Sequence, residues 1–372
     1  MSEPRPVSVT GLSILTALGR GPEAQLAGTA AFSEVQRFDT SNRRVHRAAT
    51  AADVGTLEEE LDLAVATACA QAGVDRSTTP LLLALHTAPS CDFGQRRVYT
   101  SACVSASTAI ADAATLIRAG RADHIVVAAA YLVEPDQYAL FDAGRALADD
   151  GTVRPFSQHR RGLLLGDGVA AAVLQAGEGL AELAGWARAG DAYHPCQPSP
   201  DGRGLAAAIR AALHKANLSP DEIGYINANA TGTSFSDAAE ATAIRQVFAR
   251  TTPTGFEGST HQTVGYLPGI RVDNPQLRTP TSQMRTGVGP PVSSTKALHG
   301  HALEASGLIE LVLTIQALRV GKLPVNAGFL APDPACTLDL ILDAPRRAGS
   351  PYGMSLNSAF GGANTALVVR AA

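Results

Sequence analysis

The chain has 372 residues, enough for a large core divided between about two units of roughly 150 residues, and its 45% hydrophobic content is mostly Ala, Val and Leu. No uncharged apolar run approaches the roughly 18 residues that a membrane span needs. The start MSEPRPVSVTG lacks the basic and apolar segments of a secretory leader, and a net charge of -4 with pI near 6.1 supplies no global field for nucleic acid.

These properties predict a cytoplasmic protein with neither a membrane nor a nucleic-acid partner. Five cysteines, Cys69, Cys91, Cys103, Cys196 and Cys336, are scattered and never form a CxxC pair, which argues for reduced thiols rather than a disulfide framework or zinc site.

In chain order, VSVTG (7–11) is a strand-like run. Thr56 and Glu59 stand at capping-box spacing ahead of a helix whose Leu57, Leu61, Ala64, Val65 and Ala68 share one face. Further strands are predicted at LLLALH (81–86), HIVVAAAY (124–131) and VAAAVLQ (169–175), with a small-residue helix after TSACVSAS. The rhythm restarts after about residue 180, with a helix over 202–218 and a strand at IGYINA (223–228).

That alternation predicts α/β layering. The stretches TSACVSASTAIADAATLIRAGRADHIVV and SSTKALHGHALEASGLIELVLTIQALRVGKLPV echo each other, each running from a serine-rich turn to a helix, a Gly and a strand. Two similar halves, 1–178 and 179–372, account for the echo. Residues 251–290 are rich in Thr, Pro and Gly without periodicity and read as a long inserted loop over a pocket or against a partner.

Cys103 lies where a strand meets a helix, among Ser101, Ala102, Ser105 and Ala106. Unpaired N–H groups at a helix N-terminus favour a thiolate and can hold a developing oxyanion. The alternative for such a cysteine is a small apolar core residue.

Around this point the chain resembles the β-ketoacyl-ACP synthases of the thiolase superfamily, closest to the elongating type. TSACVSAS is similar to that family's nucleophile elbow. FDAGRALADDGTVRPFSQHRRGLLLGDGVAAAVLQ, GDAYHPCQPSPDG, PVSSTKALHGHALEASGLIEL and NSAFGGANTALVV follow in the family's order.

The resemblance implies a thiolase-like fold of layered α-β-α-β-α halves and no cofactor or metal. It also implies an acyl carrier protein as partner, and a homodimer or a heterodimer with another ketosynthase-like chain. It places the acylated nucleophile at Cys103, further catalytic residues at His301, Lys296 and Glu310, and a gating Phe360 whose N–H completes the oxyanion hole with that of Cys103. Thr231, Thr233 and Phe141 are implied as substrate-binding residues. Read from the residues alone, His301 could cap a helix, Lys296 could be a solvated turn residue, and His299 with His301 could hold a metal.

Where the family has NAHGTgT, the chain reads NANATGT, so Asn229 replaces a histidine and joins the expected catalytic set. An amide donates a hydrogen bond but does not shuttle a proton near neutral pH. Three activities follow as alternatives: a condensing synthase using Cys, Asn and His; a non-elongating acyltransferase or cyclase without decarboxylation; and an inactive partner subunit resembling a chain-length factor. The stretch from Gly11 to Cys103 is also shorter than the family's usual one, which implies a reduced cap over the site.

Overall fold

The structure, a computed structural model, describes residues 5–26, 28–86, 96–249 and 288–372. Its first half runs β1 (Val7–Thr16), α1 (Leu57–Ala72), β2 (Leu81–Ala84), β3 (Arg96–Tyr99), α2 (Ser105–Arg118), β4 (His124–Tyr131), α3 (Pro135–Ala143) and β5 (Gly168–Ala176). Its second half runs β6 (Ala181–Gly190), α4 (Arg203–Ala216), β7 (Ile223–Asn227), α5 (Ser234–Phe248), β8 (Val288–Ser293), α6 (Lys296–His299), α7 (Ser306–Val320), β9 (Leu338–Leu340), β10 (Tyr352–Ala359) and β11 (Ala363–Ala371).

The predicted capping box exists. Thr56 Oγ1 accepts from the Glu59 N–H at 3.3 Å while the Glu59 carboxylate accepts from the Thr56 N–H at 2.9 Å, and Gly73 ends α1 in the left-handed conformation.

Sheet order shows why the two halves share a rhythm. Outward from β1 come β5, β4, β2 and β3; outward from β6 come β11, β10, β7 and β8, with β9 added at the edge. Each series begins with two antiparallel pairings followed by two parallel ones, and a third parallel pairing adds β9 to the second. The series meet at a narrow antiparallel seam, Ser8 opposite Glu182 and Val9 opposite Ala181.

Helices α2 and α7 lie between the two halves of the sheet, α1 covers the outer face of the first half, and α4 and α5 cover the outer face of the second. Three apolar clusters fill the spaces between layers, the central one built on Ala106, Ala109, Ile110, Leu308, Ile309 and Val312. This is the thiolase-like α-β-α-β-α architecture. The small residues of α2 have a packing reason, since a Cβ on Gly307 would fall 2.8 Å from the Ser107 backbone N, so α2 and α7 touch nearly backbone to backbone.

One expectation is adjusted here. Residues 251–287 of the 251–290 stretch lie outside the described residues, and Val288–Pro290 belong to β8 rather than to a loop. Pro290 and Pro291 remove ladder donors from that strand, and its pairing to β9 shifts register between Val288 and Val292. Alternation is therefore weak just where a strand signal was needed. No helix among the described residues is long and apolar enough to cross a membrane.

Candidate active site

Cys103 occupies a 3-10 turn, Ala102–Val104, that leads into α2. Ala102 holds φ at 50°, a left-handed conformation that costs a non-glycine residue roughly 1–3 kcal/mol and sharpens the strand-to-helix corner. The second half repeats the device: the turn Leu303–Ala305 leads into α7, with φ of 42° at Leu303. Glu304 thus holds the place that Cys103 holds in the first half. Its Oε1 lies 3.2 Å from His86 Nδ1, and Oε2 is buried without a hydrogen-bond partner.

This neighbourhood corrects the expectation of a resting thiolate. The thiol is pushed up to about 12, first by burial and then by the charge of Glu304, against which Lys296 and the residue's own backbone N–H act. The backbone N–H contribution is smaller than desolvation.

His301 is placed by backbone. Its N–H donates to the Leu164 carbonyl at 2.8 Å and its carbonyl accepts from the Gly166 N–H at 3.1 Å. The crossing needs two glycines, because a Cβ on Gly300 would lie 2.8 Å from Gly166 Cα and one on Gly166 would lie 2.0 Å from the His299 carbonyl oxygen. The His301 ring is buried, with Nδ1 2.8 Å from Ser306 Oγ. Burial, and the charge of Lys296 after it, hold its pKa well below the ordinary histidine value, so the ring is neutral near pH 7.

His299 is turned elsewhere, with Nε2 3.2 Å from Thr295 Oγ1. The two histidines therefore do not converge, and no group of three metal-ligating side chains occurs among the described residues.

Lys296 is not a solvated turn residue. It is 1% exposed at the start of α6 and forms an ion pair with the fully buried Glu310 of α7. Asn357 Nδ2 donates to the other Glu310 oxygen at 2.5 Å. Burial raises the Glu310 pKa, opposed by Lys296 and Asn357.

Lys296 Nζ also donates to Asn229 Oδ1 at 3.2 Å. Because an ammonium has only donors, this contact fixes the amide's orientation and leaves its NH2 as the group available to the cavity.

Cys103, Asn229, His301, Thr231, Thr233, Phe141 and Phe360 all line one cavity of about 180 Å³, with Lys296 and Glu310 behind it. The loop carrying both threonines is held by Asp237 of α5, whose Oδ1 accepts from the N–H groups of Thr231 at 3.1 Å and Thr233 at 3.3 Å. Phe360 is 55% exposed at the rim and stacks on Phe141 with centroids 6.5 Å apart.

The side chain of Arg160 is a buried strut. It pairs with Asp333 and donates from Nε to the Thr233 carbonyl at 3.1 Å.

Glu240 was missed from the sequence as a site residue. It lines the same cavity, is 4% exposed, and accepts the Asn229 N–H at 2.7 Å on Oε1. The available signal was its position on α5 three residues after Asp237, which puts both carboxyls on one helix face.

The description "Beta-ketoacyl synthase, N-terminal domain" matches residues 93–178, and "Beta-ketoacyl synthase, C-terminal domain" matches residues 180–269 and 279–330. Nodulation protein E of Rhizobium leguminosarum bv. trifolii is 36% identical over 73% of this chain and 60% of its own length. The 3-oxoacyl-[acyl-carrier-protein] synthase 2 of Staphylococcus aureus is 28% identical over 74% of this chain and 63% of its own.

The chain therefore spans about 60% of the length of the curated relatives it matches. Among solved structures, the ishigamide ketosynthase/chain length factor superposes with a TM-score of 0.81 at 21% identity, covering 99% of this chain and all of the other, which shows the fold. With both family domains matched in order and the Cys103 turn, histidine crossing and buried Lys–Glu pair gathered at one cavity, this chain belongs to the β-ketoacyl synthase family.

Proposed function

We propose that the protein is a β-ketoacyl synthase-like acyltransferase of specialised polyketide or fatty-acid metabolism, acting by a two-step acyl-enzyme mechanism. The observation that carries this reading is the convergence of Cys103, Asn229 and His301 on one cavity. In the first step the Cys103 sulfur attacks an acyl thioester, the C–S bond to the carrier breaks, and the thiol proton leaves with the carrier thiol. Backbone N–H groups of Cys103 and Phe360 are the proposed oxyanion donors. In the second step a malonyl-type thioester loses CO2, its enolate carbon attacks the acyl-Cys103 carbonyl, and the Cys103 thiolate departs and takes up a proton. His301 and the Asn229 amide hold the enolate oxygen, with Lys296 and Glu310 as positioning residues. Thr231, Thr233 and Phe141 contact the incoming thioester arm.

Asn229 supports a second reading, a non-elongating acyltransferase or cyclase that stops at the acyl-enzyme. The inactive partner reading is disfavoured by the presence of Cys103. Exposed Arg44, Arg97 and Arg161 are suited to an acidic acyl carrier protein, the partner class in the Staphylococcus aureus relative's name. The ketosynthase/chain length factor pairing in the structural neighbour's title agrees with a dimer of like chains. Here β3, an edge strand of the sheet, is the proposed contact. Halves dividing at 178/179 agree with β5 ending at Ala176 and β6 starting at Ala181. A catalytic thiol also suits the reducing cytoplasm.

Intact-mass spectrometry after incubation with acyl thioesters or acyl carrier protein tests the reading. The expected result is one acyl adduct, absent in Cys103→Ala. An unmodified wild-type mass across acyl donors overturns both enzymatic readings.

A further inference from the structure

The condensing reading leaves a chemical gap at Asn229, because an amide cannot give up a proton near neutral pH. Glu240 is positioned to fill it. One oxygen, Oε1, is committed to the Asn229 backbone N–H at 2.7 Å. The other, Oε2, is buried and has no hydrogen-bond partner, although its residue lines the cavity with Cys103, Asn229 and His301. An unpartnered buried polar atom is uncommon and destabilising. A protonated carboxyl lowers that cost and presents an O–H donor.

We propose, building on the condensing reading, that Glu240 is a further catalytic residue: its Oε2–H donates a hydrogen bond to the malonyl thioester carbonyl as that oxygen becomes an enolate oxygen. The malonyl carboxylate leaves as CO2 when its C–C bond breaks, and the electron pair passes into the enolate. With an acyl group on Cys103 the enolate carbon attacks it. Without one, Glu240 gives its proton to that carbon, forming the acetyl thioester, and the resulting carboxylate regains a proton from solvent.

The charged and titratable surroundings favour a neutral carboxyl. Burial is the largest cause, and Asp237 on the same helix and Glu310 on α7 add to it. The Asn229 N–H and Lys296 oppose it, with the net result about 8. Cys103 and His301, which line the cavity with Glu240 as Asp191 and Cys196 also do, have pKa values that keep them neutral at pH 7. A neutral, proton-bearing Glu240 is therefore the form present below about pH 8.

The test is CO2 release from malonyl-pantetheine by wild-type protein from about pH 6 to 9.5, with and without an acyl thioester donor, alongside intact-mass measurement of Cys103. The expected profile is flat at low pH and falls about tenfold per unit above Glu240's titration. Glu240→Gln retains an acceptor for the Asn229 N–H but has no transferable proton. In the arm without donor it is expected to form acetyl-pantetheine about 10² or more times slower and to lose the alkaline limb, while acyl-Cys103 forms as in wild type. Glu240→Asp, with the acid restored one methylene short, is expected to regain the alkaline limb at reduced rate.

A wild-type profile flat through pH 9.5, no CO2 release in either arm, or a Glu240→Gln profile matching wild type each overturns the proposal. The wild-type profile needs no variant to fold. Glu240-dependent CO2 release without acyl-Cys103 supports this role while counting against the acyl-enzyme reading, so the two can fail separately.

Discussion

Lys296 donates from Nζ to Asn229 Oδ1 at 3.2 Å while it is ion-paired to Glu310, so one buried cation orients the amide and neutralises the carboxylate behind it. Asn229 is thereby fixed at both ends, its backbone N–H on Glu240 and its side-chain oxygen on Lys296. The amide presents N–H to the cavity and cannot flip without losing its contact with Lys296.

Lys296→Ala leaves Glu310 as a buried carboxylate without its cation, and the expected loss is about 3–5 kcal/mol in urea denaturation. The double variant Lys296→Met with Glu310→Leu removes both charges and is expected to recover most of that stability without recovering CO2 release. Equal stability of the single and double variants would show that the pair is not coupled as the geometry indicates.

Thiol reactivity is expected to follow burial rather than helix position. Because burial pushes the Cys103 thiol up to about 12, iodoacetamide at pH 8 should modify exposed Cys196 before Cys103, Cys69 or Cys336. Peptide mapping at short times checks the order. Faster labelling of Cys103 than of Cys196 would restore the resting thiolate.

The contribution of Glu240 and Asp237 to stability should fall as pH rises from about 4.5 to 8, while that of the buried neutral His299 and His301 runs the other way below their ordinary 6.5. Glu240 is raised from its ordinary 4.5 to about 8 and Asp237 from 3.8 to about 6, both chiefly by burial. Between those limits the unfolded chain has released protons that the folded chain keeps, so stability present below the unfolded values is lost as pH passes through the folded ones. Melting temperatures of Glu240→Gln should decline less over that interval than those of wild type.

Gly307→Val is expected to destabilise the fold by about 1–3 kcal/mol, because the new side chain meets the Ser107 backbone N at 2.8 Å from its Cβ alone. The denaturation midpoint checks this, with Gly349→Val, where an added Cβ meets nothing within 4 Å, as a comparison.

Local chemistry was legible in the chain itself. The Thr56–Glu59 capping box, the strand over His124–Tyr131 and helix α4 depend on neighbours close in sequence, and the structure shows each of them. The echo between the halves was visible too, but its serine-rich turn pointed to Ser293–Thr295, whereas the structural repeat of the Cys103 turn is Leu303–Ala305.

Tertiary structure decided the rest, because those properties depend on residues distant in sequence. Sequence position alone suggested a thiolate at Cys103, but burial and Glu304, about two hundred residues away, raise the thiol. Lys296 could be read as a solvated cation until packing enclosed it against Glu310. Glu240 looked like an ordinary helix residue, and only the folding of α5 onto the Asn229 loop brings it to the cavity with one bonded oxygen and one buried, unpartnered oxygen. Capping and periodicity act over a few residues, whereas desolvation depends on everything the fold brings around a group.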